Sequence, residues 1–189
     1  YDGKLLGTIG LSDELRHNAK KSISDLRKLG VKNIVMLTGD TKEKAQTIAK
    51  ELGIDDVKAE LLPQDKAKII KELMLQGKKV AFIGDGINDA PALISAHVGI
   101  SMSRGADIAK ATADISLLRD DISCVVEAKE YANKTMDLIN TNFNATVGIN
   151  SGILAGAAFG IFSPIVTAVL HNGTTIGLLL NSIKGVKLK

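Results

Sequence analysis

The sequence predicts an α/β fold with a parallel sheet, followed by a hairpin of two transmembrane helices. Short apolar runs alternate with helical periods along the first two thirds of the chain, a pattern typical of parallel strands joined by helices. Turns that contain Gly and Asp follow several of these runs. In the last third of the chain, by contrast, no Lys, Arg, Asp or Glu occurs between Leu138 and Ile183.

Capping residues and glycines set the limits of the predicted helices. Ser12 and Asp13 offer caps for the first helix, which Gly30 ends, and Thr41 caps a second helix that stops before Gly53. The predicted helices of this part cover residues 14–29, 41–52, 64–75, 88–96 and 107–111. The predicted strands cover residues 8–11, 31–37, 57–61, 79–83, 98–102 and 115–118. Right-handed crossovers between them would place helices on both faces of one sheet.

The uncharged segment is long enough to cross a bilayer twice, since one spanning helix needs about 20 mostly apolar residues. Pro164 separates a helix over residues 138–162 from one over residues 164–183, because proline lacks the amide donor that a helix interior requires. Lysines flank the two spans but not the turn between them, which predicts cytoplasmic ends. The alternative is a buried helical hairpin in a soluble protein.

Three parts of the chain are therefore expected. Residues 1–119 form the α/β domain, residues 120–137 form a helical stalk, and residues 138–189 form the two membrane helices and a short cytoplasmic tail. The chain begins at Tyr1 without a charged and then apolar leader, so no secretory signal is predicted. Membrane lipid is accordingly an expected partner of the last part.

Composition argues against nucleic acid as a partner. The 24 basic and 21 acidic residues give a net charge of only +3, and no dense basic stripe occurs. Aromatic residues make up 3% of the chain and there is no Trp, which leaves little for base stacking. The single cysteine, Cys124, excludes an internal disulfide, and its apolar neighbours predict a buried side chain rather than a metal thiolate.

The stretch from Gly84 to Pro91 reads Gly-Asp-Gly-Ile-Asn-Asp-Ala-Pro and directly follows an apolar strand. Asp85 and Asp89 can both face one point at the carboxyl end of a parallel sheet, where open α/β folds hold ligands. Magnesium prefers oxygen ligands and usually lies between one or two carboxylates and a phosphate. The sequence therefore predicts a magnesium site, the alternative being an ordinary Asp-Gly turn.

Groups suited to phosphate follow two other elements. Thr38 follows an apolar strand, so its hydroxyl and the amides of Gly39 and Asp40 can donate hydrogen bonds to phosphate oxygens. Lys66 lies in the first turn of a predicted helix and supplies a compact positive charge. Phosphoryl transfer depends mainly on positioning and on neutralising negative charge. Each signal is weak alone, because such turns and lysines are common on surfaces, but they agree with the predicted magnesium site.

These motifs together resemble those of the P-type ATPases. The stretch from Gly84 to Pro91 is similar to the family's hinge motif, Thr38-Gly39-Asp40 to its Thr-Gly-Asp motif, and the segment around Lys66 to the one that carries its phosphate-site lysine. The end of the chain resembles the last membrane pair of the heavy-metal (type IB) branch. The resemblance implies the second half of a phosphorylation domain of the haloacid-dehalogenase type, followed by the last two membrane helices of a pump.

The resemblance also implies roles and partners. Asp85 would ligate Mg²⁺ with support from Asp89, and Asn88 would contact the phosphorylated aspartate. Lys66 and Thr38 would hold the phosphate, beside the Gly39 amide, and Asp40 would help to position nucleotide or water. The family's Asp-Lys-Thr-Gly sequence does not occur in this chain. The chain would therefore act only with an N-terminal part of the pump, fused or separate, as an integral protein of the plasma membrane with a cytoplasmic α/β domain.

Polar residues of the predicted spans are candidates for contacts with a transported transition-metal cation. They are Asn150, His171, Asn172 and Thr175. Imidazole suits several transition metals, and the segment from His171 to Thr175 resembles the His-Glu-Gly-x-Thr pattern of cobalt-type pumps with Asn172 in place of the acid. The alternative for His171 is a hydrogen bond between helices.

Two other functions are compatible with parts of the sequence. A membrane-anchored phosphatase of the same fold would need a nucleophilic aspartate after an N-terminal strand, and the segment Leu5-Leu6-Gly7-Thr8 offers none. A non-catalytic remnant, or one half of a split pump, would share every motif described above.

Overall fold

A computed structural model describes residues 15–85, 87–103 and 107–185 of the chain. The chain divides into two compact units, with the boundary between Val126 and Glu127. The strand predicted at residues 8–11 lies outside the described residues.

The first unit alternates strands and helices as predicted. Its strands are β1 (Val35–Leu37), β2 (Asp56–Lys58), β3 (Ala81–Gly84), β4 (Val98–Ser101) and β5 (Ile115–Ser116). Its complete helices are α1 (Ala19–Lys28), α2 (Lys42–Leu52), α3 (Pro63–Leu75), α4 (Ala90–Ser95) and α5 (Asp107–Thr112). A single 3-10 turn, Ile87–Asp89, lies between β3 and α4.

Every strand pairing among the described residues is parallel. β1 pairs with β2, whereas β3, β4 and β5 form a separate sheet with β4 in the middle. The prediction of a parallel α/β fold is confirmed. One continuous sheet is not observed in the described part of the chain, because no pairing joins β1 to β3.

Local hydrogen bonds explain why several elements are shorter than predicted. β1 begins at Val35 rather than residue 31, because the Ile34 amide donates to the Asp55 carboxylate 2.8 Å away. β2 ends at Lys58 rather than residue 61, since Glu60 turns the chain with a φ of 57°. α1 starts at Ala19 rather than residue 14. The helix predicted at residues 88–96 is the 3-10 turn followed by α4.

The helix ends that glycine was predicted to set are confirmed where the structure describes them. α2 stops at Gly53, whose φ of 70° is left-handed and therefore costs glycine little. Pro63 begins α3, and the Asp65 carboxylate accepts a hydrogen bond from the Leu62 amide, so an amide at the helix start is satisfied. This cap fixes the first turn of α3, which carries Lys66.

The core of the first unit is formed by residues of α1, of β4 and of the helix that begins at Ser123. Its buried members are Leu26, Ile100, Met102, Leu117, Cys124 and Val125. Cys124 is a free, buried thiol, as its sequence context predicted. This core holds the carboxyl ends of β3 and β4 in place.

The second unit contains most of a long helix, α6 (Ser123–Ala158), and α7 (Pro164–Gly185). The predicted stalk and first span are thus one continuous helix, which ends at Ala158 rather than residue 162 because Gly160 has a φ of 73° and the Phe162 ring packs against Gly156. Pro164 begins α7, as predicted. Among the described residues no helix combines the length and apolar character needed to cross a membrane, so the two predicted spans are not confirmed.

The start of α6 gives a prediction about acid stability. The Asp121 carboxylate accepts hydrogen bonds from the Ser123 amide at 2.7 Å and from Asn18 Nδ2 at 2.6 Å, and the first of these bonds contributes most to lowering its pKa. A lowered pKa means that this stabilisation is complete above about pH 3.9, the ordinary value, and is lost as pH falls through the folded-state pKa.

We therefore expect Asp121→Ala to lower the urea midpoint at pH 7, with the difference from the parent chain shrinking below about pH 4. Asp121→Asn, which keeps an acceptor oxygen, is the control and should lose less stability at pH 7. A difference of constant size from pH 7 to pH 2 would contradict the assignment.

Candidate active site

A cavity of about 400 Å³ lies where the carboxyl ends of β1 and β3 approach each other. Leu37 of β1 and three residues of β3, Phe82, Ile83 and Gly84, line it. Its polar lining includes Lys66, Asp85 and Asp89. The structure thus brings together three of the side chains that the sequence predicted to share a site.

Lys66 and Asp89 form a close ion pair inside this cavity. Lys66 Nζ lies 2.7 Å from Asp89 Oδ1, and the two side chains are only 17% and 11% exposed. The sequence predicted a phosphate-site lysine in the first turn of a helix, and the structure places Lys66 there with a largely buried side chain. A positive charge is therefore held at a fixed place in the cavity, which suits the binding of an anionic group.

Asp89 also organises the loop that carries Asp85. Its second oxygen, Oδ2, accepts a 3.3 Å hydrogen bond from the Asp85 amide. Both carboxylate oxygens of Asp89 therefore have protein partners, while the Asp85 side chain is exposed. Taken as a whole residue, Asp89 is buried, with 8% of its surface exposed to solvent.

Thr38, Gly39 and Asp40 form a tight turn directly after β1. The Asp40 amide donates to Thr38 Oγ1 at 3.1 Å, and that hydroxyl donates to Asp40 Oδ2 at 3.2 Å. The Thr38 amide donates to the Lys58 carbonyl, so the turn stays paired with β2. These three residues adjoin Leu37, which lines the cavity, but they are not part of its lining themselves.

Asn88 lies in the 3-10 turn with an exposed side chain and does not line the cavity. The predicted set is therefore divided: Lys66, Asp85 and Asp89 lie together, while the turn after β1 and Asn88 lie beside them.

The donor set fits a magnesium ion held mainly by Asp85. Mg²⁺ keeps several waters and needs only one or two carboxylates together with a phosphate. Asp85 has an exposed carboxylate at the cavity, whereas Asp89 is already paired with Lys66 and with the Asp85 amide. Asp89 would thus position Asp85 rather than serve as the first ligand. No group of three or more His, Cys, Asp or Glu side chains able to hold a metal occurs in the described ranges.

Arg16 is a member of the cavity lining that the sequence analysis missed. Its guanidinium Nη1 donates to the Asp120 carbonyl at 2.7 Å and forms an ion pair with Asp120 Oδ1 at 2.9 Å. The predicted helix began at residue 14 and therefore included Arg16, so no sequence signal marked this residue as part of a site.

Polar side chains of α6 and α7 contact each other at two places among the described residues of the second unit. His171 Nδ1 lies 3.1 Å from Asn150 Oδ1, which joins two of the predicted metal-contact candidates. Thr175 donates to the His171 carbonyl within α7, and Asn172 is exposed. The second contact was missed by the sequence analysis: Asn142 donates to Ser182 Oγ and accepts from Asn181 Nδ2, at 2.7 and 2.8 Å.

Gly84 gives a test of how Asp89 is held. A Cβ atom at position 84 would lie 2.8 Å from Asp89 Cβ and 2.9 Å from Asp89 Oδ2, closer than real Cβ contacts allow. We expect Gly84→Ala to displace Asp89 and to destabilise the first unit by about 1 to 3 kcal/mol, the usual cost of overpacking. Urea unfolding measures the loss.

The matched control is Gly148→Ala in α6, where no atom lies within 4 Å of the added Cβ and a helical alanine is favourable. If Gly84→Ala were as stable as the parent chain, the close approach of Asp89 to Gly84 would be wrong.

Comparison with known proteins agrees with this arrangement. Residues 1–97 match the family of haloacid dehalogenase-like hydrolases. A manganese-exporting P-type ATPase of Mycobacterium leprae (strain TN) is 39% identical over 189 residues, and a zinc-exporting P-type ATPase of Mycobacterium marinum (strain ATCC BAA-535 / M) is 40% identical over 190 residues. Both alignments cover 100% of this chain but only 26% of the relative, so the chain spans about a quarter of these proteins.

A solved structure gives the same result in three dimensions. The crystal structure of a zinc-transporting PIB-type ATPase in an E2.Pi state matches with a TM-score of 0.84 and 36% identity, covering 93% of this chain and 28% of that one. The predicted resemblance to heavy-metal P-type ATPases is confirmed. The chain belongs to the haloacid dehalogenase-like hydrolases, and its relatives are P-type ATPases of the heavy-metal branch.

Proposed function

We propose that the chain is the C-terminal part of an ATP-driven, magnesium-dependent pump for transition-metal cations, and that it turns over only with the upstream part of the pump. The relatives named above export manganese or zinc and are about four times as long as this chain. One structural observation carries the proposal: among the described residues no strand pairs with both β1 and β3, whose facing edges lie directly beside Lys66 and Asp85.

Backbone groups on the facing edges of β1 and β3 have no strand partner among the described residues. Backbone groups alternate in direction along a strand, and Ile34, Thr38, Val80 and Gly84 use theirs toward β2 or β4. By this alternation the backbone groups of Val35, Leu37, Ala81 and Ile83 point away from β2 and β4, toward the gap between β1 and β3. No described residue pairs with these two edges as a strand. A single parallel strand between them would join the five strands into one sheet.

Burial supports the same interpretation. β4 is the middle strand of its sheet and three of its four residues are buried, whereas all of β1 and most of β3 are only half-buried or exposed. A strand at the centre of an α/β sheet is normally covered on both faces and both edges. β1 and β3 have the sequence of central strands and the exposure of edge strands.

An inserted strand would end at the polar side of the cavity. Parallel to β1 and β3, its carboxyl end would lie near Lys66, Asp85 and the Thr38 turn, where a nucleophilic aspartate could receive a phosphoryl group from ATP. No Asp-Lys-Thr-Gly sequence occurs in this chain, so the proposal assigns this strand to the upstream part. The unit formed by residues 1–119 would then be a partial phosphorylation domain.

The chain's own residues have distinct tasks in this proposal. Lys66 neutralises phosphate charge, the Thr38 hydroxyl and the Gly39 amide donate to phosphate oxygens, Asp40 orients nucleotide or water, and Asn88 contacts the phosphorylated carboxyl group. Magnesium, held by Asp85 with support from Asp89, would supply charge neutralisation between carboxylate and phosphate.

We also propose that α6 and α7 form the last membrane pair of the pump. Their polar side chains pair with one another across the helix seam, through Asn142 with Ser182 and Asn150 with His171. Large apolar side chains are also exposed on both helices, among them Phe143, Leu154, Ile165, Val169, Leu179 and Ile183. Interhelical polar contacts with an apolar exterior favour a lipid environment. The proposal places the pump in the plasma membrane with the α/β domain in the cytoplasm.

Hydrogen exchange tests whether a strand of the upstream part pairs with β1 and β3. We expect the amides of Leu37 and Ile83 to exchange rapidly in this chain alone and to gain protection of about tenfold or more when the upstream part is present. The amides of Met36 and Phe82 serve as controls, because they face β2 and β4 and should be protected in both samples. Protection of Leu37 and Ile83 in the chain alone would mean that these edges need no strand from the upstream part, and the proposal would fail.

A further inference from the structure

Glu60 lies between two elements of the candidate site in a backbone conformation that glutamate rarely adopts. Its φ is 57°, and among the described residues it is the one residue other than glycine with a positive φ. A left-handed backbone is unfavourable for a residue with a Cβ atom and persists only where surrounding contacts hold it. Since Glu60 is exposed, the hydrogen bonds of the neighbouring backbone are the contacts that hold it.

Two successive amides of this segment donate to the turn that follows β1. The Glu60 amide donates to the Asp40 carbonyl at 2.9 Å, and the Leu61 amide donates to the Thr38 carbonyl at 3.0 Å. Successive amides of an extended strand point to opposite sides, so both reach one turn only because the chain bends at Glu60. A Cβ atom added at Gly39 would lie 3.4 Å from the Leu61 carbonyl oxygen, so the turn and the segment are in close contact.

The same segment leads directly into the helix start that carries Lys66. The Leu62 amide donates to the Asp65 carboxylate, and α3 begins at Pro63. Lys66 lies in the first turn of α3, with a side chain that is only 17% exposed. Glu60 thus connects the Thr38 turn to the start of α3, two elements to which the proposed function assigns phosphate contacts.

We propose that Glu60 is a positioning residue, whose left-handed backbone sets the distance between the Thr38 hydroxyl and the Lys66 ammonium group where both hold phosphate. This inference rests on the proposed pump function. Phosphoryl transfer depends mainly on positioning, and misplacing a group by about 1 Å can lower a rate by about a hundredfold. Because the Glu60 amide makes the contact and the residue is exposed, the role belongs to its backbone.

A matched pair of substitutions separates the backbone of Glu60 from its side chain. Glu60→Asn and Glu60→Val both remove the carboxylate, but asparagine tolerates a left-handed φ, whereas the β-branched valine strongly disfavours it. In the complete pump we expect Glu60→Asn to be phosphorylated within about twofold of the parent rate, and Glu60→Val to be about tenfold or more slower. Urea unfolding establishes that both variants are folded under the conditions of the assay.

Combination with Thr38→Ala distinguishes positioning from a loss of stability. If Glu60 places the Thr38 hydroxyl, Glu60→Val should slow the Thr38→Ala pump by a smaller factor than it slows the parent pump, since that hydroxyl is already absent. A loss of stability alone would lower the rate by the same factor in both backgrounds.

Hydrogen exchange of the 189-residue chain tests the contact without the upstream part of the pump. We expect the Leu61 amide to be protected in the parent chain and in Glu60→Asn, and to exchange about tenfold or more faster in Glu60→Val. The Thr38 amide, which donates to the Lys58 carbonyl, is the internal control and should stay protected in all three samples.

Three results would overturn the inference: a Glu60→Val pump with the parent rate, a Glu60→Asn pump as slow as Glu60→Val, or equal losses with and without the Thr38 hydroxyl. Equal protection of the Leu61 amide in Glu60→Val and in the parent chain would overturn it as well. Failure of the proposed pump function would instead appear as an absence of phosphorylation in the parent pump, with the expected exchange pattern of Leu61 still present.

Discussion

Asp85→Asn is expected to lower phosphoenzyme turnover in the complete pump by about 10³-fold or more, equivalent to about 4 kcal/mol of transition-state stabilisation. The substitution keeps the size of the side chain and removes the charge of the main Mg²⁺ ligand. Asp85 is exposed and its backbone amide, not its carboxylate, bonds to Asp89, so the fold should be unaffected. Phosphorylation from radiolabelled ATP measures the effect.

The matched control is Asp56→Asn, which removes the charge of another exposed aspartate, one that forms an exposed ion pair with Lys58 on β2. Turnover of this variant should stay within about twofold of the parent pump, because exposed ion pairs contribute little to stability. Added Mg²⁺ should partly restore Asp85→Asn if the lost function is metal affinity. Turnover equal to that of Asp56→Asn would refute the magnesium assignment.

Lys66→Met is expected to lower the rate of phosphorylation by about 10²- to 10³-fold, the usual effect of removing one charged donor from a developing charge. It should also destabilise the first unit by about 1 to 2 kcal/mol, because Asp89 would be left partly buried without its partner. Urea unfolding and phosphorylation kinetics measure the two effects separately.

The double variant Lys66→Met with Asp89→Asn distinguishes the two roles of Lys66. Removing both charges leaves no carboxylate that has lost the charge of Lys66, so stability should return. Because Asp89 also supports the proposed magnesium site, the rate is compared with that of Asp89→Asn alone, and we expect the double variant to be slower. A double variant no slower than Asp89→Asn would mean that Lys66 acts only through its ion pair, and the phosphate role would be wrong.

The sequence was sufficient for the order of elements and for the grouping of Lys66, Asp85 and Asp89. Apolar runs and glycine stops predicted the strands and helices, and the spacing of Asp85 and Asp89 predicted a shared position at the carboxyl end of β3. Both signals are local, so they can be recognised along the chain without knowing the tertiary contacts.

Contacts between distant residues could not be predicted in this way. The pairing of Lys66 with Asp89 joins residues 23 positions apart and holds the lysine side chain partly buried, neither of which the sequence indicated. The contact of Arg16 with Asp120 spans 104 positions. Strand ends were also misplaced, since hydrogen bonds such as that from Ile34 to Asp55 end a strand before its apolar run does.

The interruption between β1 and β3 could not be predicted either, because apolar runs such as residues 31–37 and 79–83 indicate buried strands without indicating their neighbours. The same limit applies to the seam between α6 and α7. In the sequence, Asn142 and Ser182 are isolated polar residues of two apolar segments. Their hydrogen bond is recognised only when the two helices are seen packed together.

Phosphorylation of the complete pump, assembled from this chain and the upstream part, tests the central claim most directly. The upstream part is supplied either fused to this chain or co-expressed with it, and radiolabelled ATP is added with Mg²⁺ and with zinc, manganese, cobalt or copper in turn. We predict an acid-stable phosphoprotein that forms only when both parts are present and that depends on at least one of these metals. A labelled phosphoprotein formed by this chain alone, or none with both parts correctly folded, would contradict the account.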